Sequence, residues 1–238
     1  MSAYRQSPFS NLTPVVKPLL IINIIFFAAT WLLGHSQVDL VSLFSAFYFN
    51  SPLFRPWQII TYMFMHGNIW HIGFNMLGLV FIGPMIEHTM GSKRFLQYYF
   101  ITGVGALLVQ WLVQAIEVHN IIGTFIIPHG NFTQNIGQAG FEKLKEIYDV
   151  PVLGASGAIF GLAVALAMLY PNIELYIMFI PIPIKAKYAV AGYVLIELFS
   201  GIGQFSGDNV AHFAHLGGAL FGFIMVKFWR LRRPNSYF

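Results

Sequence analysis

The chain contains no cysteine. Disulfides, thiolate metal centres and thiol nucleophiles are therefore excluded. Charge is nearly as scarce. Asp, Glu, Lys and Arg make up 9% of the 238 residues, against about 25% in an ordinary soluble domain. So few charges cannot cover the surface of a water-soluble domain. The sequence also lacks an internal repeat and a low-complexity tract. Its first ten residues, MSAYRQSPFS, lack the charged-then-apolar layout of a leader. Ser2 follows Met1 where N-myristoylation needs a glycine, and there is no cysteine to prenylate. What the sequence has instead is apolar: 57% hydrophobic residues and a mean hydropathy of +0.66. Together these point to an integral membrane protein.

A helical span needs about 20 mostly apolar residues. Six segments qualify: roughly 17–34, 69–88, 95–116, 153–170, 187–203 and 211–229, the fourth being short. A further apolar piece, LYIMFIPIPI at 175–184, is interrupted by Pro181 and Pro183 and reads as a turn or short extended segment. The expected fold class is an all-α polytopic membrane protein with six transmembrane helices over 17–230. It would lie between a short cytoplasmic segment, 1–16, and a basic cytoplasmic tail, 231–238. Charge placement sets the orientation. With the N-terminus in the cytoplasm, Arg5, Lys17, Lys93, Arg94, Lys185, Lys187, Lys227, Arg230, Arg232 and Arg233 lie inside. Only Arg55, Lys143 and Lys145 lie outside, a clear positive-inside bias. The net charge of +4 is thus a topology signal, and Leu231-Arg232-Arg233 belongs on anionic headgroups rather than on nucleic acid. Two outer segments remain: a loop at 35–68, with Arg55 and Trp57 as an interfacial anchor, and a polar insert at 117–151. The insert carries Asn131, Asn135, Glu142 and Asp149, and its AGFEKLKEIYDV stretch fits a short amphipathic surface helix.

This topology brings polar residues to one depth. His71 and Asn75 open the second span, Ser156 the fourth and His215 the sixth. All three spans run from outside to inside, so these residues sit within about two turns of the outer surface, roughly 3–10 Å deep. Buried polar groups in a bilayer face the bundle interior or a wet cavity. A serine hydroxyl needs a base to become a nucleophile, and histidine is the usual one. The oxyanion formed on a carbonyl needs donors, which an Asn amide, a second His or a helix N-terminus can supply. His71 and Asn75, spaced i, i+4, share a helix face. Gly157 with Gly161, and Gly218 with Gly222, are small-xxx-small pairs that let two helices touch backbone to backbone. That contact would bring Ser156 to His215. No acidic third member can be placed, because Asp208 falls in the loop before the sixth span and Glu197 near the middle of the fifth.

Three motifs carry a resemblance. Gly-Ala-Ser-Gly-Ala at 154–158, Ala-His-Leu-Gly-Gly-Ala-Leu-Phe-Gly at 214–222 and His-x-x-x-Asn at 71–75 resemble the signature of the rhomboid intramembrane serine proteases. The stretch 56–88 resembles that family's first outer loop and second span, and the likeness covers roughly residues 50–230. It implies a six-helix rhomboid-like bundle, with Ser156 as nucleophile, following Gly154, and His215 as base. It also implies His71 and Asn75 at the oxyanion site. The aromatic ring four residues after the serine, here Phe160, would pack on the base without offering a tyrosine's hydroxyl. The implied activity is hydrolysis of peptide bonds in or near transmembrane segments, with no cofactor. The implied partners are transmembrane protein substrates and the lipid bilayer, with neither nucleic acid nor metal. By family analogy, the fifth span and the 205–211 loop, flanked by Gly201, Gly203 and Gly207, would form a gate. The expected location is a bacterial inner membrane.

Blander readings stand beside these. Ser156 could be a cap, His215 a structural histidine, and His71 with Asn75 a polar contact between helices. A metal site is the chemical competitor, since His212 and His215 are spaced i, i+3 and His66 and His71 lie nearby. No carboxylate is evident among them, and a metal would leave Ser156 unexplained. His66 is expected to order the outer loop or water. Glu87 and His88 are expected to pair with Lys93 or Arg94 or to cap a helix. Glu197 is either functional, protonated or hydrogen-bonded to a neighbouring span. Gln110 and Gln114 read as interhelical glue. The alternative to an enzyme is a non-catalytic rhomboid-like binder of membrane helices. A transporter would need polar residues through to the inner side or a repeated half, and neither is evident.

Overall fold

The computed structural model describes residues 12–34, 38–126, 136–176, 182–203 and 211–233. Asn131, Asn135, Pro181, Gly207, Asp208 and the ends of the chain lie outside the described residues.

Helix α1, Val16–Leu33, is apolar on all sides, as befits a helix with no aqueous face. The outer loop that follows holds a short helix α2, Leu40–Phe44, then α3, Gln58–Thr61, and a 3₁₀ turn, Tyr62–Phe64. Helix α4, Ile69–Met90, starts where the Asn68 side chain accepts from the His71 backbone N–H. It ends at Gly91, whose φ of +78° allows an abrupt turn into α5, Ser92–Ile122. Helix α6 is Gly137–Asp149 and α7 is Ser156–Leu169. Two short antiparallel strands follow, β1 (Glu174–Leu175) and β2 (Ile184–Lys185). Helix α8 is Ala186–Gly203 and α9 is His212–Phe228.

Three of these helices, α1, α4 and α5, are long and apolar enough to cross a membrane, and α7 and α9 are shorter apolar helices. Large apolar side chains point outward, with Phe81 73% and Phe199 72% exposed. In water that surface would aggregate, and in a bilayer it meets lipid. The helix ends fall close to those expected, with two informative differences. Helix α5 has 31 residues, about 46 Å at 1.5 Å per residue, so the start of the 117–151 insert continues the helix. The Pro-interrupted stretch is flanked by a β-hairpin pair, so the chain is not wholly helical.

The core is built by α5, α7 and α9, with α1 and α4 packed alongside. Small residues set the spacing. A Cβ on Gly218 would collide with the Gly157 carbonyl, and one on Gly222 would lie 2.8 Å from Gly161 Cα. Helices α7 and α9 therefore touch through backbone atoms, as the two glycine pairs require. Helix α6 is amphipathic and buries Leu144 and Ile147 beside Tyr48 and Val118. The outer loop is tied down as well. Ala46 pairs with Val152 just before α7, and Trp57 Nε1 donates to the Leu43 carbonyl at 2.9 Å.

Of the two roles expected for Glu87, pairing with Lys93 or Arg94 and capping, it takes the capping one, at α1 rather than at its own helix. Its carboxylate accepts from the backbone N–H groups of Val15 and Val16 at 3.1 and 3.0 Å, from Ser92 Oγ at 2.6 Å, and from Thr13 Oγ1. It caps the N-terminus of α1, where free N–H donors favour an anion. Gln114 is buried as expected for a residue between helices, but its Oε1 has no hydrogen-bond partner among the described residues.

Candidate active site

Ser156 is the first residue of α7. The residue two before it, Gly154, has φ +125°, a backbone conformation that favours glycine. A methyl group there would also sit 2.7 Å from His71 Nε2 and 3.6 Å from Ser156 Oγ. The glycine thus turns the chain into the helix and keeps open the space where a small group would touch both side chains. Its N–H donates to the Tyr62 carbonyl at 2.9 Å, fixing the turn to the outer loop.

The α7–α9 contact brings His215 across. Ser156 Oγ and His215 Nε2 are 2.8 Å apart. The ring of Phe160, one turn along α7, stacks on the His215 imidazole with centroids 4.4 Å apart and planes 9° from parallel. Phe160 in turn meets Tyr193 of α8 at 4.8 Å. The imidazole is thereby held in one plane, with a nitrogen directed at the hydroxyl. A hydroxyl hydrogen-bonded to an imidazole nitrogen can lose its proton as it attacks an electrophile.

His71 and Asn75 lie on α4. The Gly67 N–H approaches His71 Nδ1 at 3.4 Å, which makes Nδ1 the acceptor and leaves a proton on Nε2, the atom facing the Gly154–Ser156 space. Asn75 is 5% exposed and its Nδ2 donor has no partner among the described residues. A buried, unused donor is costly unless something fills it. His66 is 3% exposed and meets His71 edge to face at 5.0 Å. Burial, with His71 adding to it, pushes the His66 imidazole down to about 4, so it is neutral near pH 7.

The carboxylate that could not be placed from sequence is present. Glu197 Oε2 of α8 lies 2.6 Å from Nδ1 of His212 and 3.0 Å from Nδ1 of His215. The first is a hydrogen bond; the second is a close contact whose angle falls short of one. Glu197, His212 and His215 are also the described residues whose ligand atoms could gather round a cation, all within 4.8 Å of one another. The only advance signals were a lone carboxylate in an apolar segment and two histidines spaced i, i+3. His66 and His71, the other half of the metal reading, are not in that group.

The Rhomboid domain family matches residues 53–232 of the chain. Among curated proteins, Rhomboid-like protein 16, chloroplastic, of Arabidopsis thaliana is 24% identical over 94% of this chain and 63% of its own length. RHOMBOID-like protein 12, mitochondrial, of the same plant is 30% identical over 69% of this chain and 44% of its own. Rhomboid protease AarA of Providencia stuartii is 28% identical over 70% of this chain and 53% of its own. The chain therefore spans about two thirds or less of each of these relatives.

Proposed function

The chain belongs to the rhomboid family, and on that premise we propose that this integral membrane protein is a serine endopeptidase cleaving peptide bonds in or near transmembrane segments. One observation carries the proposal: the 2.8 Å approach of Ser156 Oγ to His215 Nε2, with Phe160 stacked behind the imidazole. His215 takes the hydroxyl proton as Oγ bonds to the scissile carbonyl carbon. The His71 Nε2–H, the Asn75 amide and the N-terminal N–H groups of α7 receive the oxyanion. Removing one such donor typically costs about 100–1000-fold in rate. The proton on His215 then passes to the leaving amine, and water hydrolyses the acyl-enzyme.

In this reading α1, α4, α5, α7, α8 and α9 are the six spans of a membrane domain over 17–230, with both termini cytoplasmic. Helix α7 has 14 residues, about 21 Å, too short for a hydrocarbon core of about 30 Å. Its outer end, with Ser156, lies below the membrane surface, and water reaches it from the outer side beneath the 35–68 loop. A substrate must present extended backbone there, so small or helix-breaking residues near the cut are favoured. Engineered single cysteines, readable because the native chain has none, test the orientation by thiol accessibility. A bacterial inner membrane is the compartment in this reading; relatives named chloroplastic and mitochondrial exist, and cell fractionation decides.

The test compares wild type with Ser156→Ala in liposomes, using a transmembrane substrate and a fluorophosphonate probe. Cleavage and labelling should vanish together in the mutant and survive chelator in the wild type. Cleavage that persists in Ser156→Ala would refute the assignment. A folded wild type that neither labels nor cleaves would favour the non-catalytic binder.

A further inference from the structure

Resting on the serine-protease reading above, we infer that Glu197 is a positioning residue for His215. Its carboxylate selects the imidazole tautomer that carries its proton on Nδ1 and leaves Nε2 free to accept from Ser156. The proposed Ser156–His215 dyad makes no use of this group.

The placement of Glu197 is costly and specific. It is 4% exposed, on a helix whose neighbouring Ile196, Phe199 and Ile202 face outward. Only Ala186, Glu197 and Gly201 of α8 are buried. A carboxylate taken out of water is costly unless it is paired, and a leucine would bury there without that cost. Glu197 is paired, with both histidines of α9. An ionised carboxylate only accepts, so Nδ1 of His212, hydrogen-bonded to it at 2.6 Å, carries a proton, and Nδ1 of His215, 3.0 Å from the same oxygen, meets it favourably only when protonated. A proton on Nδ1 of neutral His215 leaves the lone pair on Nε2, the atom 2.8 Å from Ser156 Oγ. The tautomer that a general base needs is the one Glu197 selects. The angle to His215 is open in the resting state, and such bonds commonly tighten along the reaction. His212, one turn earlier, bonds the same oxygen at 2.6 Å. Gly201 lets α8 approach, since a Cβ there would lie 3.1 Å from Phe213 Cζ and 3.2 Å from His212 Cβ.

The protons balance. As the Oγ–C bond forms, the carbonyl π pair moves to oxygen and the Ser156 proton moves to Nε2. The imidazolium then has both nitrogens protonated, and Glu197 balances its charge without taking a proton. As the C–N bond breaks, the Nε2 proton goes to the leaving amine, which restores the starting tautomer. A metal bound by the same three residues predicts otherwise. Ligand atoms sharing one tetrahedral zinc stand about 3.3 Å apart, whereas Glu197 and His212 are 2.6 Å apart. A metal on Nδ1 would also put the proton on Nε2 and disable the base.

The experiment uses the full chain in liposomes, with Glu197→Gln and Glu197→Asp beside Ser156→Ala. Glutamine keeps the shape and a hydrogen-bonding oxygen but loses the charge. We expect Glu197→Gln to unfold near the wild-type temperature and to lose about 100-fold or more in kcat, with KM within about threefold. Aspartate should restore part of the loss. Nitrogen-15 spectra of wild-type histidines should show His215 protonated on Nδ1 and bare on Nε2. A folded Glu197→Gln with wild-type kcat would overturn the inference, as would an Nε2-protonated His215. Activity lost to chelator and restored by Zn²⁺ would overturn it in favour of a metal centre. If Glu197→Gln fails to fold, the wild-type nitrogen-15 spectrum decides. If wild type neither labels nor cleaves, the protease reading fails, and the same spectrum still tests the Glu197–His215 contact.

Discussion

The α7–α9 contact and helix α8 flank the same Ser156–His215 pair, and they are held to it in different ways. At the two glycine pairs between α7 and α9 there are no side chains to rearrange. Gly218 lies on the Gly157 carbonyl and Gly222 on Gly161 Cα. Backbone on backbone admits one geometry, because any displacement opens a gap or makes a clash. Helix α8 is attached by side chains, the Tyr193 ring against Phe160 and the Glu197 carboxylate on His212 and His215. Most of its large apolar residues face outward. Such contacts can break and re-form while the helix stays intact. A reactive pair is thereby fixed on a rigid seam, with a looser helix beside it.

The most damaging test of that contrast is Gly218→Leu. Its Cβ has no space against the Gly157 carbonyl, and backbone cannot rotate aside as a side chain can. The variant should lose about 3 kcal/mol or more and all fluorophosphonate labelling, read by thermal unfolding and gel fluorescence. A stable, labelled Gly218→Leu would mean that the seam is not what sets the Ser156–His215 distance.

How much of this was legible in advance depends on what one dimension can encode. The apolar runs marked the helices, because a lipid-facing helix needs no polar face to interrupt the signal. The small-xxx-small spacings marked the seam, because backbone contact requires small residues at fixed intervals. The extent of α5 was not legible. Glu117, His119 and Asn120 look like loop, yet the helix continues to Gly123, whose φ is +74°. Helix continuity depends on backbone bonding, which polar side chains do not oppose. Long-range polar pairing was hidden too. Glu87 bonds the start of α1, more than 70 residues away, and no spacing rule reports on that. Glu197 was equally opaque. Its partners depend on the rotation of α8 about its own axis, and a helix hydrophobic nearly all round does not reveal which face turns inward.

Helix α8 supplies the next test. A bifunctional thiol crosslink between cysteines introduced on α8 and α4 should abolish cleavage of a membrane substrate. Labelling by the small fluorophosphonate should survive, because the seam is untouched. Undiminished substrate cleavage after complete crosslinking would remove the idea that α8 must move.

The rigid side extends into the outer loop at His66, where the effect depends on pH and leaves labelling intact near neutrality. Burial holds the folded-state imidazole near 4, against an ordinary value of 6.5. Between those values the unfolded chain binds the proton and the folded chain does not. His66 therefore contributes full stability above about pH 6.5, and that contribution is lost as the pH falls towards 4. The loss approaches about 1.4 kcal/mol per pH unit at its steepest. Thermal unfolding should soften over this window in wild type and much less in His66→Gln. An identical pH slope in both would show that His66 is not the group responsible.

The smallest effect gives the sharpest comparison, because a single methyl group can be added to each region. A Cβ on Gly192 of α8 meets nothing within 4 Å, and alanine is the better helix former by at most about 1 kcal/mol. Gly192→Ala should be neutral or slightly stabilising, with wild-type labelling and cleavage. Gly218→Ala adds the same methyl to α9, where it meets the Gly157 carbonyl, and should lower the unfolding temperature and slow labelling. Substitutions that behaved alike would leave no physical distinction between the seam and α8. A Gly192→Ala variant that kept its stability but lost only membrane-substrate cleavage would locate a requirement for pliability within α8 itself.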